Sequence, residues 1–278
     1  MSELPLLARL RAQFPDSSAR RIKQWLALGQ VRVNATVVRD GRTPTREDDA
    51  VAVGPPAGVP FPSLLRLLHE DEALLVIEKP PGLLTIATQR ERERTAYRLL
   101  KEYLGAGRPP HRPFIVHRLD RETSGLLVFA KSPAAKRHLQ AQFAHRTAER
   151  HYVAVVEGRV GEDAGTLASR LVQDRGLRVR SAAAGRPAVT HYRVVARGTA
   201  ATLLELRLGT GRRHQIRVQL AELGHPIVGD RRHGSTRDPI RRLCLHASAL
   251  GFVHPETGAR LRFQSPVPDA FRRAVAVH

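Results

Sequence analysis

Cysteine occurs once in the 278 residues, at Cys244, so neither a disulfide framework nor a cysteine-based zinc site can be built. A chain of that kind belongs in a reducing compartment, and the expected location is cytoplasmic. Long apolar runs are also missing. None approaches the roughly 18 residues that cross a bilayer. The opening MSELPLLARLRAQF carries an early acid and no apolar stretch of signal type, so no membrane role is expected. Acidic residues are scarce against basic ones, 26 to 46, and the formal net charge is +20. Lysine is scarcer still, with five residues against 41 arginines. Such an excess points to a polyanionic partner. Guanidinium matches phosphate oxygens two at a time and stacks on bases, which favours nucleic acid over mere solubility. A GC-rich coding bias exchanges lysine for arginine but does not by itself create the charge. The 42% of hydrophobic residues argue against disorder.

This length allows one large domain, or a large one with a small one. The segment GPPAGVPFP, residues 54–62, interrupts every periodicity and reads as a linker between a small domain, 1–53, and a large one, 63–278. In the small domain Leu4 to Phe14 is expected to be helical. Asp16 or Ser17 can cap a second helix with Ile22, Trp25, Leu26 and Leu28 near one face, and Gly29 ends it. VRVNATVV alternates like a hairpin around Asn34-Ala35, and VAV at 51–53 supplies another strand. Alanine stands where a tight hairpin favours glycine, so a different turn is expected.

After the linker, strands are expected at 74–79, 124–131, 151–158, 188–196 and 202–208, with helices at Thr95–Leu104, Pro133–Ala144 and His214–Leu223, the last stopped by Gly224. The run ERERT at 91–95 reads as a solvated helix start. Several strands follow one another directly without a βαβ rhythm. The expected class is therefore α+β, a mixed or mostly antiparallel sheet with helices packed on it, preceded by the small α/β unit.

Three stretches can carry chemistry. In HRLDRETSGLLVFAKS, residues 117–132, Asp120 sits in a polar knot at the mouth of an apolar strand, where a carboxylate can be held in fixed geometry. Read by composition alone, Asp120 caps a turn or pairs with Arg118 or Arg121. In GTGRRHQIRVQLAELGHPIVGD, residues 209–230, a glycine-flanked turn opens a helix. Arg213 and Arg217, four apart on one face, can reach a carboxylate or phosphates together. A solvated basic face is the plainer reading, but Ile216, Val218 and Leu220 make the helix partly buried. In ERHYVAVVEG, Tyr152 opens a strand; such a tyrosine is usually a core residue, though a phenol beside a carboxylate can stack on a base or move a proton. Among the thirteen histidines, His214, His225, His246 and His254 lack ligand spacing, so no metal site is expected, and His246 reads as part of a buried strand. GTGRR lacks the third glycine of a dinucleotide site.

In this order, EKPPGLLT, HRLDRETSGLLVFAKS, HYVAVVEG, GRPAVTHYRVV, GTGRRHQIRVQLAELGHPIVGD and LCLHA resemble the ribosomal large-subunit pseudouridine synthase A family, from about Leu74 to about Pro268. The front unit, with SSARRIKQWLALGQVRVNATVV, resembles the RNA-binding domain named after ribosomal small-subunit protein four. The resemblance implies that Asp120 is the catalytic aspartate, Tyr152 the tyrosine that contacts the uracil, and Arg217 the arginine that pairs with the aspartate. Arg118 matches an arginine that some members insert into the RNA stack, and His117, Thr123 and Arg213 join it as substrate-binding residues. The implied reaction isomerises uridine without oxidation or transfer, so no cofactor and no metal is implied. Arg150 stands where the family often has lysine, and His233 where a tyrosine is usual.

The implied partner is RNA, with large-subunit rRNA favoured and tRNA open, bound by a monomer. One rival is a silent ribosome-assembly factor that binds rRNA; a pure binder needs the arginines but not the trio Asp120, Tyr152 and Arg217. Another is a glycosylase or nuclease, which would leave an abasic site or a cut strand.

Overall fold

A computed structural model describes residues 3–15, 17–54, 60–89, 91–105, 111–174 and 176–276. The chain divides into two compact units, Met1–Pro62 with Leu100–Arg112, and Ser63–Leu99 with Pro113–His278. Of the expected linker, residues 55–59 lie outside the described residues.

The first unit opens with β1 (Leu4–Pro5), α1 (Leu6–Gln13) and α2 (Ala19–Ala27). Helix α1 starts two residues later than expected because Leu4 and Pro5 pair with Thr45 and Pro44. The cap of α2 is Ser18, not Ser17: its Oγ accepts the Arg21 N–H at 3.2 Å, while Asp16 lies outside the described residues. Four-residue spacing places Leu6 with Leu10 and Ile22 with Leu26 on facing stripes, and these bury themselves together with Val31. The strands are β2 (Val31–Val33), β3 (Thr36–Val37), β4 (Pro44–Thr45) and β5 (Val51–Val53), with β2 between β3 and β5.

The turn joining β2 to β3 corrects the sequence reading. Val33 pairs with Thr36, and Asn34 and Ala35 both have positive φ, 49° and 67°, as a tight two-residue hairpin turn requires. Asn34 holds this turn: its Oδ1 accepts the Ala50 N–H at 2.9 Å and its Nδ2 donates to Asp49 at 2.6 Å. That anchoring offsets the roughly 1–2 kcal/mol that a left-handed alanine costs.

The second unit runs β6 (Arg66–Glu70), β7 (Leu74–Lys79), α3 (Ala96–Gly105, whose last turns belong to the first unit), β8 (Phe114–Ile115), β9 (Ser124–Ala130) and α4 (Pro133–Ala144). It continues with β10 (Glu149–Glu157), β11 (Ala164–Gln173), β12 (Val179–Ser181), β13 (Arg186–Arg197), β14 (Ala201–Leu208) and α5 (Gln215–Glu222). β15 (Leu245–Val253), β16 (Arg260–Gln264) and α6 (Asp269–Ala276) close it. Among the described residues the strands form an eleven-stranded sheet in the order β12-β11-β13-β14-β10-β15-β9-β7-β6, with β16 on β15 and β8 on β9. Among these described strand pairs, β15–β9 alone is parallel. The α+β class follows from this mixed, mostly antiparallel sheet.

Two local features aim the site. At Gly125, φ is 113° and any Cβ would collide with the Ala247 backbone, so only glycine lets β9 lie this close to β15. Between β10 and β15 the register shifts at His151/Tyr152, a bulge that re-aims the tyrosine.

Helix α5 begins at Gln215, because His214 takes a left-handed conformation, φ 51°. Arg213 therefore precedes the helix and does not share a helical face with Arg217, contrary to the sequence reading. No described helix is long and apolar enough to cross a membrane.

Candidate active site

The loop 119–123 between β8 and β9 is fixed from behind by the segment that follows β7. Thr85 Oγ1 donates to the Leu119 carbonyl at 2.9 Å and accepts the Leu119 N–H at 3.2 Å. The Gly82 N–H donates to the Arg121 carbonyl at 2.8 Å, and Arg121 Nε returns a bond to the Gly82 carbonyl at 3.1 Å. Lys79, fully buried, spends its ammonium on three carbonyls, those of Pro80 and Leu83 at 2.8 Å and of Arg121 at 3.2 Å. Burial pulls this lysine down to about 7, while the charges of Glu122 and Asp120 resist. Asp120, carried on this braced loop, lines a cavity of about 910 Å³.

Facing it, Arg217 rises from α5, only 4% exposed. Its Nε and Nη2 grip the Asp230 carboxylate bidentately, both at 2.7 Å. Its Nη1 reaches Asp120 at 3.3 Å and Glu122 at 3.4 Å. Burial opposes both charges of the inner pair, but their mutual hydrogen bonds and attraction win. Arg217 is held above its ordinary value, and the Asp230 carboxyl well below the usual carboxylate range. His233 adds to this through an Nδ1 contact to Asp230 at 2.9 Å.

His214 places Nε2 3.7 Å from Asp120 and stands edge-on to His233. Its Nδ1 is buried without a partner among the described residues. Burial pushes His214 down to about 4, against the pull of Asp120 and with help from Arg217, so it is neutral at physiological pH. The Tyr152 phenol, pointing from β10 and 8% exposed, is pushed up to about 12 by burial, against the opposing effect of Arg150.

The structure thus brings Asp120, Tyr152 and Arg217 to one cavity. Arg118, exposed on the same loop, and Arg213, half-buried, line it too. His117 also lines it, but stacks on Phe143 at 4.6 Å and accepts the Val128 N–H on Nε2 at 3.3 Å. Burial, aided by Arg150, drives His117 down to about 3, so it is neutral. Thr123, the last residue of the loop, is buried and lines a smaller recess of about 70 Å³, not the main cavity. His246 is buried in β15 between the Ser124 and Ser265 hydroxyls, at 2.8 and 2.9 Å. Sequence reasoning missed Asp230, His214 and Lys79 as parts of the site. Asp230 closes the quoted motif GHPIVGD, and an acid ending a motif that also holds a buried arginine was the available signal.

A protein-family model described as RNA pseudouridylate synthase matches residues 73–222. The chain belongs to that family. It is accordingly an RNA isomerase, and the silent assembly factor and the glycosylase are not favoured. The uncharacterized RNA pseudouridine synthase YlyB of Bacillus subtilis (strain 168) is 34% identical over 264 residues, 91% of this chain and 87% of that protein. The ribosomal large subunit pseudouridine synthase D of Xylella fastidiosa (strain Temecula1) is 37% identical over 283 residues, 94% of this chain and 85% of that protein. Among solved structures, human RNA pseudouridylate synthase domain containing 4 superposes with a TM-score of 0.63 at 25% identity, covering 75% of this chain and 91% of that one.

Proposed function

We propose that this pseudouridine synthase modifies defined uridines of large-subunit ribosomal RNA, with Asp120 as its catalytic carboxylate. The observation that carries the reading is Asp120 on a braced loop, 3.3 Å from the buried Arg217 and sharing a cavity with Tyr152. In the reaction the bond from ribose C1′ to uracil N1 breaks, the base turns, and C5 bonds to C1′ as its proton leaves. Asp120 acts either as nucleophile on C1′ or as base in an elimination, with Arg217 supplying the countercharge. Tyr152 packs on the detached ring as a neutral phenol, since a group pushed up to about 12 is protonated at neutral pH. Extruding the nucleotide costs a few kcal/mol of unstacking. Arg118, entering the vacated stack, and Arg213, on phosphate, offset that cost.

The substrate is supported by two names that agree on the large subunit: the motifs resemble synthase A, and the curated relative from Xylella fastidiosa is called synthase D. The first unit acts as an RNA-binding domain like that of ribosomal small-subunit protein four, presenting Arg20, Arg21 and Lys23 on the exposed face of α2. The trio comes from one chain, which fits a monomer. A ribosomal substrate and one buried, unpaired cysteine fit the cytoplasm.

Mapping pseudouridines in cellular RNA with and without the gene tests the reading. Loss of defined large-subunit sites, not restored by D120N, is the expected result. Loss confined to tRNA would move the substrate, and no lost site would overturn the assignment.

A further inference from the structure

Arg150 lies on β10 two residues before Tyr152 and is 8% exposed. Its Nε and Nη2 are buried with no hydrogen-bond partner among the described residues, and no described carboxylate pairs with it. What surrounds the guanidinium is uncharged or cationic: the Phe143 ring at 5.6 Å, neutral His117, and Arg146. Burial lowers its hold on the proton, the Tyr152 phenol works the other way, and Arg146 adds to the lowering. A Cβ at position 211 would come within 2.5 Å of Nη1, so the glycine there makes room for the group. Arg150 lines the cavity with Tyr152 and Asp120.

A buried cation without a counterion is costly, unless an anion appears beside it during the reaction. Heterolysis of the C1′–N1 bond creates one. The electron pair leaves with uracil and spreads over N1, O2 and O4, while the sugar carbon passes to the Asp120 carboxylate or C2′ gives it a proton. The same anion then attacks C1′ through C5, the carboxylate or its borrowed proton is returned, and the proton lost from C5 is matched by the one N1 takes up. The base is negative only between the two bond changes. We infer that Arg150 is a catalytic residue that stabilises the departed uracil anion, donating a hydrogen bond to one of its oxygens beside Tyr152. This rests on the reaction proposed above. The exposed Arg231 and Arg232 at the cavity suit phosphates, which stay outside; a buried guanidinium suits the extruded base.

Once mapping has named a target site, the full chain is assayed on an RNA fragment carrying it, in single turnover at saturating enzyme and by RNA Kd. R150M lowers the saturated rate by about 10²-fold, the scale of losing one preorganised donor, while Kd holds; R150K recovers most of the rate. With 5-fluorouridine at the target, fluorine stabilises the same anion, so the R150M deficit in consumption of the target nucleoside shrinks. Both substrates meet the same folded fraction, so partial unfolding of R150M leaves the comparison intact. A weaker Kd with an unchanged saturated rate would make Arg150 a phosphate contact, and equal deficits on both bases would make its role structural; either result overturns the inference. A wild-type chain that forms no pseudouridine would instead remove the proposed reaction.

Discussion

Arg217 and Asp230 form the most deeply buried ion pair of the site, 4% and 1% exposed, and the arginine has one nitrogen left over for Asp120. Asp230 therefore works at one remove, as the group that orients the arginine that faces the carboxylate. Breaking a buried pair from one side costs about 3–5 kcal/mol because the survivor is left uncompensated. D230N is expected to lower the melting temperature accordingly and to slow pseudouridine formation, as read by differential scanning and single-turnover kinetics. The pH dependence has a definite sign. The folded carboxyl titrates far below its unfolded value of about 4, so the stabilisation is complete above pH 4 or so and is lost as pH falls toward the folded value. The melting gap between wild type and D230N should be full at neutral pH and narrow below about pH 4; a gap that holds constant into acid would contradict the pairing.

At the scale of elements, the segment after β7 and the loop before β9 act as one braced piece, and Lys79 is its bolt. K79M keeps the volume but leaves the Pro80 and Leu83 carbonyls without their donor, at about 1–3 kcal/mol for each that water cannot reach, while the Arg121 carbonyl keeps the Gly82 N–H. The expected outcome is lower stability together with a lower saturated rate, as Asp120 loses its fixed place, while RNA Kd changes little. A destabilised variant with the wild-type rate would show that the brace does not position the loop. Lys79 was unreadable in the sequence because a buried lysine is spelled like an exposed one, although its motif EKPPGLLT was quoted. Strand β9 was legible because all seven of its residues are buried and its run is nearly all apolar. Strand β11 was not: one of its ten residues is buried, and AGTLASRLVQ carries no matching pattern. β16, written RLRFQ, and α6, written DAFRRAVA, were hidden by their arginines, although Phe271, Ala274 and Val275 of α6 are buried. Asp120, Tyr152 and Arg217 were legible through ordered motifs. The left-handed His214, which removes Arg213 from the helix, leaves no trace in residue spacing.

For the molecule as a whole, the charge is unevenly shared: residues 1–62 carry nine basic and six acidic side chains, a net +3, and residues 100–112, which belong to the same unit, add three basic and one acidic, so the second unit holds +15 of the +20. The unit that holds the cavity should thus neutralise most of the phosphates it meets. If about five phosphates are neutralised, counterion release predicts an RNA affinity loss of about 10²-fold between about 50 and 200 mM salt. The slope locates the contacts as well as counting them. Exchanging Arg213, Arg231 and Arg232 for glutamine should flatten the plot of log Kd against log salt by nearly three contacts. The same exchange at Arg20, Arg21 and Lys23 of α2 should flatten it only as far as the first unit touches this RNA. A salt response that is flat in the wild type would contradict phosphate-led binding. Equal flattening by the two sets would give the small unit a share of the contacts out of proportion to its charge.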